Sequence, residues 1–402
     1  MTSRKIKIGL QLFILSSSLI FIREGKEKRM SFLLVALVLT ATLVITIPTF
    51  KRVKIVRNDM SCLSIIIPAR NEERNLTFLL QSLQLRNADF EVIVVDDNST
   101  DNTERVAKAF GVKVVQPGAL PAGWLGKSWA CWNGAREAKG SVLLFLDADI
   151  TVENDGIEKV FFYYQQQGGV LSVHPYHLVK RPYEMFSALF HYVTFASIGA
   201  FHPFKNWKSP SVGFGQCLLC SAASYFQSGG HEGIKKEVVE NMALVENMAL
   251  VEKMNKQGEF ITCMSGQGAL SMRMYPNGMK GLIRGWSKSF ASGAGKTEAI
   301  YLFLVSLWLT SMINYILFLP TLWNQHAGLA ISSYVCYVSL LFNSLRKIGS
   351  FTFFSLCLFP IHVLFFLGLF VWSFVQTAVR KQVKWKERSI SIEEEKKKKV
   401  IK

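Results

Sequence analysis

The chain has 402 residues, half of them apolar, and a formal net charge of +17. Its length suits one large domain or two, and so high an apolar share argues against a chain lying wholly in water, so a membrane-embedded part is expected. The basic excess does not point to nucleic acid, because no basic and aromatic stripe on a recognisable nucleic-acid module is present; anionic lipid and a phosphorylated donor are the expected charge partners.

In chain order, residues 1–30 read as an N-terminal extension. The apolar run 9–22 is short and breaks into REGKEKR. It fits a weak span, a signal-like segment, or sequence upstream of a start at Met30. Residues 31–50 (SFLLVALVLTATLVITIPTF) carry no charge and are about long enough for a transmembrane helix. Lys51, Arg52, Lys54 and Arg57 follow at once, which puts the start of the next region on the cytoplasmic side.

Over 61–295 strand and helix patterns alternate, the mark of an α/β domain. A buried strand at 63–67 is followed by a turn at Pro68 and a helix from about Asn75. A second strand at 91–95 leads through a polar turn to a helix N-capped by Thr100 or Asp101. VKVVQ at 112–116 and a helix over 129–138 come next. Then VLLFLDADI, residues 142–150, reads as a strand buried on both faces that ends in Asp147 and Asp149. On an extended chain residues i and i+2 share a side. The two carboxylates could therefore converge on one cation, and hard oxygen donors suit Mg²⁺ or Mn²⁺ completed by substrate phosphates. The competing reading is turn or cap chemistry.

Arg70-Asn71-Glu72, Asp96-Asp97 and Asp147-Asp149 all fall at the carboxyl ends of strands, where open α/β sheets bind ligands. Asp96 or Asp97 can accept hydrogen bonds from a base or ribose, and Lys127 in GWLGKSW can neutralise phosphate. Jointly they predict a nucleotide site. GAGKT at 293–297 is not a phosphate loop, since the required leading glycine is Phe290 and no strand precedes it. Seven scattered cysteines, with Cys217 and Cys220 the only close pair, read as reduced and buried rather than as a zinc site.

The stretch 186–207 (FSALFHYVTFASIGAFHPFKNW) predicts a membrane-associated segment presenting a lipid acceptor, with His191 and His202 as packing residues. Apolar runs at 299–323, 327–345 and 351–378 make up a C-terminal membrane region, 299–378, with kinks or re-entrant bends at Asn314, Pro320 and Pro360. Three full spans would place the basic tail, 379–402, outside, against the positive-inside rule; a hairpin around Pro360 or a pair of half-spans restores parity.

"SIIIPARNEERNL", "VIVVDDNSTDNT", "PAGWLGKSWACWNGA" and "LLFLDAD" resemble the successive motifs of the family 2 glycosyltransferases of GT-A fold. The GWLGKSWAC stretch and the terminal apolar segments are similar to a narrower group, the bacterial diaponeurosporenoate glycosyltransferases, which act on a carotenoid carboxylic acid. The resemblance covers roughly 31–378. It implies an α/β fold class, a GT-A nucleotide-sugar-binding domain with N- and C-terminal transmembrane helices, in a multi-pass protein of the cell membrane whose catalytic domain is cytoplasmic. It also implies a UDP-sugar donor, glucose being the expected sugar, an isoprenoid or lipid acceptor, inversion at the anomeric carbon, and association with other carotenoid-pathway enzymes.

Residue by residue, the resemblance assigns Pro68, Arg70, Asn71, Glu72 and Asp97 to the uridine site with Asp96 beside it. It assigns Lys127 to the donor, Asp147 to the nucleotide sugar and Asp149 to a divalent Mg²⁺ or Mn²⁺. Members usually carry Glu-Asp as the base region, whereas this chain reads VENMALVENMALVEKM, with Asn241 and Asn247 where Asp is expected. Six residues turn an α-helix by about 600°, so of Glu240 and Glu246 only one can take that position. A plain surface helix with a duplication is the competing reading. In MYPNGMKGLIRGWSKSF the match to Gln-x-x-Arg-Trp is partial. Arg284 is assigned to the diphosphate and Trp286 to a sugar, against an interfacial helix anchored by Arg284, Trp286 and Lys288. Because a carboxylic acid is already ionised at neutral pH, a carboxylate acceptor needs no base. A lipid or hopanoid hydroxyl as acceptor, or a non-catalytic nucleotide-binding scaffold, are the alternatives left open.

Overall fold

The computed structural model describes residues 47–50, 59–85, 88–200, 210–235, 246–294, 297–378, 382–385 and 388–391. The predicted helix at 31–50 therefore lies outside the described residues up to 46. Its last four residues meet the edge of the domain: Ser265 N donates to Pro48 O at 2.9 Å, and Ile47 and Phe50 are buried.

The first half alternates as its hydrophobic pattern dictates. β1 (Leu63–Ala69) leads to α1 (Glu73–Ser82), β2 (Glu91–Asp96) to α2 (Thr103–Ala109), and β3 (Lys113–Val115) to α3 (Gly126–Glu137). β4 (Val142–Leu146) and the short β5 (Ile150–Val152) precede α4 (Gly156–Gln167). β6 (Val170–His174) and β7 (Tyr176–His177) come next, then a 3₁₀ turn at Pro182–Ser187, α5 (Ala188–Ser197), β8 (Cys217–Ser221) and α6 (Ala222–Gln227). α7 (Glu246–Lys256), β9 (Ile261–Ser265), β10 (Leu270–Met272) and α8 (Met279–Ala294) complete the domain.

Seven strands form one sheet in the order β3-β2-β1-β4-β8-β6-β9. β1 is parallel to both β2 and β4, and β8 is antiparallel to β4 and β6. Successive residues of β1 enter opposite cores: Ile65 and Ile67 pack with α1 and α4, Ile66 with α3. Both faces are covered, which is why β1 and β4 read as unbroken apolar runs. The same alternation sends Cys217 and Cys220 to different faces, both as free thiols.

Three expectations change here. Pro68 is not in a turn; β1 continues to Ala69, with Pro68 opposite Val95. The proline costs no ladder bond, because its nitrogen points to the β4 side, where pairing ends at Ile66. α2 takes Asn102 as N-cap rather than Thr100 or Asp101, although the Asp101 carboxylate accepts the Thr103 N–H at 3.0 Å. Most of 188–197 is a core helix without a free face: Tyr192 stacks on Trp308 at 4.5 Å, and α5 packs against the C-terminal helices. A segment apolar all round is buried on all sides. Residues 201–209, with His202, lie outside the described residues.

Among the described residues one helix is long and apolar enough to cross a membrane, α9 (Ala299–Leu345). Its backbone breaks at His326 (φ −149°, ψ 72°), which divides it between the first two predicted runs; Pro320 sits inside the first part and Asn314 simply bonds Thr310 O. A short α10 (Phe353–Leu356) precedes α11 (Phe359–Ala378). Pro360 falls in the first turn of α11, where a missing N–H costs nothing, so it starts a helix instead of bending one.

Candidate active site

The carboxyl ends of β1, β2 and β4 meet at one cleft. Asp97 follows β2, with its N–H on Ala69 O at 2.9 Å, and the Arg70 Nη1 lies 3.4 Å from its Oδ2. Burial pushes the Asp97 pKa up, and Arg70 opposes that. A Cβ on Gly126 would overlap the Asp97 carboxylate, so only glycine lets α3 start against it. The next residue, Lys127, reaches across to Asp147, Nζ to Oδ1 2.6 Å. The opening of α3 thus ties the β2 end to the β4 end.

Asp147 and Asp149 are not on an extended strand. The chain turns directly after β4, with Ile150 N donating to Asp147 O at 3.2 Å and Asp147 N to Gln216 O at 3.0 Å. Asp149 is exposed at its surface yet closely surrounded by protein; the loss of hydration first, and the Asp147 carboxylate second, raise its pKa to about 6, against the pull of Lys127. Glu72 adds to the negative field.

Other predicted residues are spent on architecture. Asn71, left-handed at φ 54°, accepts the Thr100 N–H at 2.7 Å and gives its own N–H to Ser99 Oγ at 3.0 Å, joining the two loops. Asp96 Oδ1 receives the Ser99 N–H at 3.2 Å, turn chemistry rather than a free acceptor.

A model of the family described as "Glycosyl transferase family 2" matches residues 64–217, the span that carries all these groups. The 4,4'-diaponeurosporenoate glycosyltransferase of Staphylococcus aureus (strain USA300) is 33% identical over 351 residues, 86% of this chain and 92% of that protein. The chain belongs to glycosyl transferase family 2. The same protein from Staphylococcus aureus (strain MRSA252) matches equally, at 33% identity over the same shares. Among solved structures, glucosyl-3-phosphoglycerate synthase from Mycobacterium tuberculosis in complex with Mn²⁺, UDP-Glc and phosphoglyceric acid aligns with 63% of this chain and 89% of that one, at 17% identity and a TM-score of 0.39.

As a family 2 glycosyltransferase of α/β GT-A fold, the chain groups Glu72, Arg70, Asp97, Lys127, Asp147 and Asp149 in one cleft. The donor set fits a divalent cation. Among the described residues no group of three or more His, Cys, Asp or Glu side chains is placed to hold a metal ion, so the protein offers at most the pair of carboxylates. An open pair of carboxylates with excess negative charge suits Mg²⁺ or Mn²⁺, which keep positions for substrate phosphates.

Glu240 and Asn241 lie outside the described residues. α7 starts at Glu246, so the second copy of the repeat opens that helix. Arg284 is exposed on α8. Trp286 does not offer a sugar platform: it is 6% exposed, stacked on Phe190 at 4.9 Å, with its indole N–H on Ser187 Oγ at 3.1 Å. Filling the core between α5 and α8 is what uses its area.

Two residues at the cleft carry no motif signal of their own. Gln216 supplies the carbonyl under Asp147, and its side-chain Oε1 is buried without a partner. Burial first, and the Asp149 charge second, hold the phenol of Tyr275, in MYPNG, above the ordinary tyrosine range.

Proposed function

We propose that this protein is an inverting glycosyltransferase moving a sugar, glucose in the first instance, from a UDP-sugar to the carboxylate of a carotenoid acid, to give a glycosyl ester. The observation that carries the donor side is the cleft in which Lys127 holds Asp147 beside Asp149 at the carboxyl ends of parallel strands. Support for the acceptor is the 33% identity across 92% of a relative named for diaponeurosporenoate.

Asp97 and Arg70 receive the nucleoside end, and Lys127 and Arg284 offer positive charge to the diphosphate. Asp149, with Asp147, would hold a divalent cation, which would neutralise charge on the leaving diphosphate. The acceptor arrives ionised, with no proton to lose. Its carboxylate oxygen attacks the anomeric carbon as the bond to the diphosphate oxygen breaks, and the electron pair leaves with UDP. Glu240 or Glu246 then serves orientation of the acceptor rather than proton transfer.

The protein is placed, on this reading, at the cell membrane with its catalytic domain cytoplasmic. Apolar side chains open to the surroundings support it: Leu364 on α11 is 69% exposed and Trp323 on α9 55%. The basic run 51–57 supports the orientation.

The test is transfer by washed membranes carrying the protein, with labelled UDP-glucose, a carotenoid carboxylic acid, and Mn²⁺ or EDTA. Metal-dependent label in an alkali-labile lipid is expected. Label that resists alkali, on a hydroxyl lipid, would replace the ester with a glycoside; UDP and Mn²⁺ binding without any transfer would leave a scaffold.

A further inference from the structure

We propose that Gln216 is a specificity-determining residue of the donor site, its side-chain Oε1 accepting a hydrogen bond from a hydroxyl of the sugar. This rests on the reading of the cleft as a UDP-sugar site. β8 is antiparallel to β4 with Cys217 opposite Leu146, so Gln216, just before β8, stands opposite Asp147, just after β4. The Asp147 N–H closes that rung on Gln216 O at 3.0 Å. Facing residues of an antiparallel pair share a side, and the sides alternate along the strand. Leu146 and Cys217 enter the core under α1 and α4, while Phe145 and Leu218 enter the one under α3. Gln216 and Asp147 therefore project towards α3, where Lys127 Nζ meets Asp147 Oδ1 at 2.6 Å.

The side-chain amide has no architectural task there. Its Oε1 is shut off from solvent without a hydrogen-bond partner, although the residue as a whole is only half-buried. A buried acceptor left unpaired is costly, and one kept at a cleft calls for an explanation. Neighbouring polar groups are already engaged: Asp147 with Lys127, and Asn71 and Asp96 within their loops. Gln216 differs from them in offering an acceptor that the fold itself does not use.

The order of strands says which part of the donor comes to it. β2, β1, β4 and β8 are successive neighbours in the sheet. At a strand spacing of about 4.8 Å, the nucleoside end at Asp97, after β2, is roughly 14 Å from Gln216, and the carboxylates after β4 are roughly 5 Å away. A UDP-sugar laid along this edge, with its nucleoside at Asp97 and its diphosphate at Lys127 and the Asp147–Asp149 turn, brings its sugar to β8. The chemistry agrees. An amide oxygen needs a donor. The diphosphate and an ionised acceptor carboxylate offer only acceptor oxygens, whereas every free hydroxyl of the sugar carries an O–H.

The experiment is calorimetric binding to the purified full chain, with Mn²⁺ and without acceptor, beside the thermal midpoint. The ligands are UDP, UDP-glucose and the monodeoxy analogues of UDP-glucose; the variants are Gln216→Leu and Gln216→Glu. The native protein should bind UDP-glucose more tightly than one of the monodeoxy analogues by about 3- to 10-fold, the scale of one neutral hydrogen bond. Gln216→Leu should bind those two alike, with UDP affinity unchanged. Its midpoint should be no lower, since the change removes an unpaired buried oxygen and nearly keeps the volume. Gln216→Glu, which retains an oxygen acceptor, should retain the discrimination. Native discrimination in Gln216→Leu overturns the inference and leaves the donor site standing, as does a native protein that binds every analogue as it binds UDP-glucose. A midpoint of Gln216→Leu that falls, with affinity for all ligands falling in step, assigns the amide to packing and overturns the inference too. No UDP binding by the native protein overturns it together with the reading of the cleft.

Discussion

Lys127 Nζ lies 2.6 Å from Asp147 Oδ1, with both side chains partly open to the cleft. The pair is preorganised and lightly covered, so its value is in binding and not in stability. Lys127→Ala is expected to lower kcat/KM for the UDP-sugar roughly 10- to 100-fold, the scale of a charge-assisted hydrogen bond. The thermal midpoint should stay in place. Steady-state kinetics with a melting curve on one preparation decides it, and unchanged kinetics would remove Lys127 from the donor site.

Asp149→Ala should lower transfer by a hundredfold or more, on the order of the charge stabilisation a divalent ion supplies. EDTA should abolish transfer by the native protein, and added Mn²⁺ or Mg²⁺ restore it. Activity that survives EDTA would contradict the role given to the two carboxylates.

Gly126→Ala places a methyl where the Asp97 carboxylate sits. Forcing them apart should cost about 1–3 kcal/mol and weaken UDP binding at the same time. Denaturant unfolding and UDP calorimetry report the two effects. A variant as stable as the native protein would mean that α3 shifts freely, and the tie between the β2 and β4 ends would be lost with it.

If the acceptor is a carboxylate, no general base titrates in the rate. Glu240→Gln and Glu246→Gln should change KM for the acceptor more than kcat, and kcat should be flat from pH 6.5 to 8. A steep rise with pH that disappears in one of these variants would instead assign that glutamate as a base for a hydroxyl acceptor.

His174 and His177 are buried, and burial holds both pKa values down to about 4. His191 Nδ1 faces His174 Nε2 at 3.3 Å, while His177 is met by the His191 ring, Glu184 and Arg273. An unfolded histidine titrates near 6.5, so between 6.5 and 4 the unfolded chain binds more protons and stability falls as pH falls. The loss is roughly 3 kcal/mol per histidine, complete near pH 4 and absent above about 7. Thermal midpoints at pH 7.5, 6 and 5 should show it, with a shallower slope in His177→Phe; an equal slope would exclude His177 as a source.

Much of the site was legible because its signals are local. An apolar run that stops at two carboxylates needs only a few adjacent residues to be read, whereas the start of α3 at Gly126, three residues before the expected 129, came from the structure. The expectation of a turn at Pro68 failed because β1 has a neighbour on one side only at that level, which one segment cannot report. The i, i+2 argument for Asp147 and Asp149 failed for a related reason: the strand ends at Leu146, and a turn replaces the extended geometry. Trp286 looked available for a sugar, since its pattern does not name the α5 residues that cover it.

The sequence by itself determined the alternation of strands and helices and the placing of acidic residues at strand ends. These follow from composition and period along a short stretch. Tertiary structure alone decided that a side chain at Gly126 would meet Asp97, that Asn71 joins two loops, that α5 is enclosed, and that β10 comes back beside β5. Each is a contact between segments far apart in the chain, set by sheet register and helix packing, for which no local periodicity carries a signal.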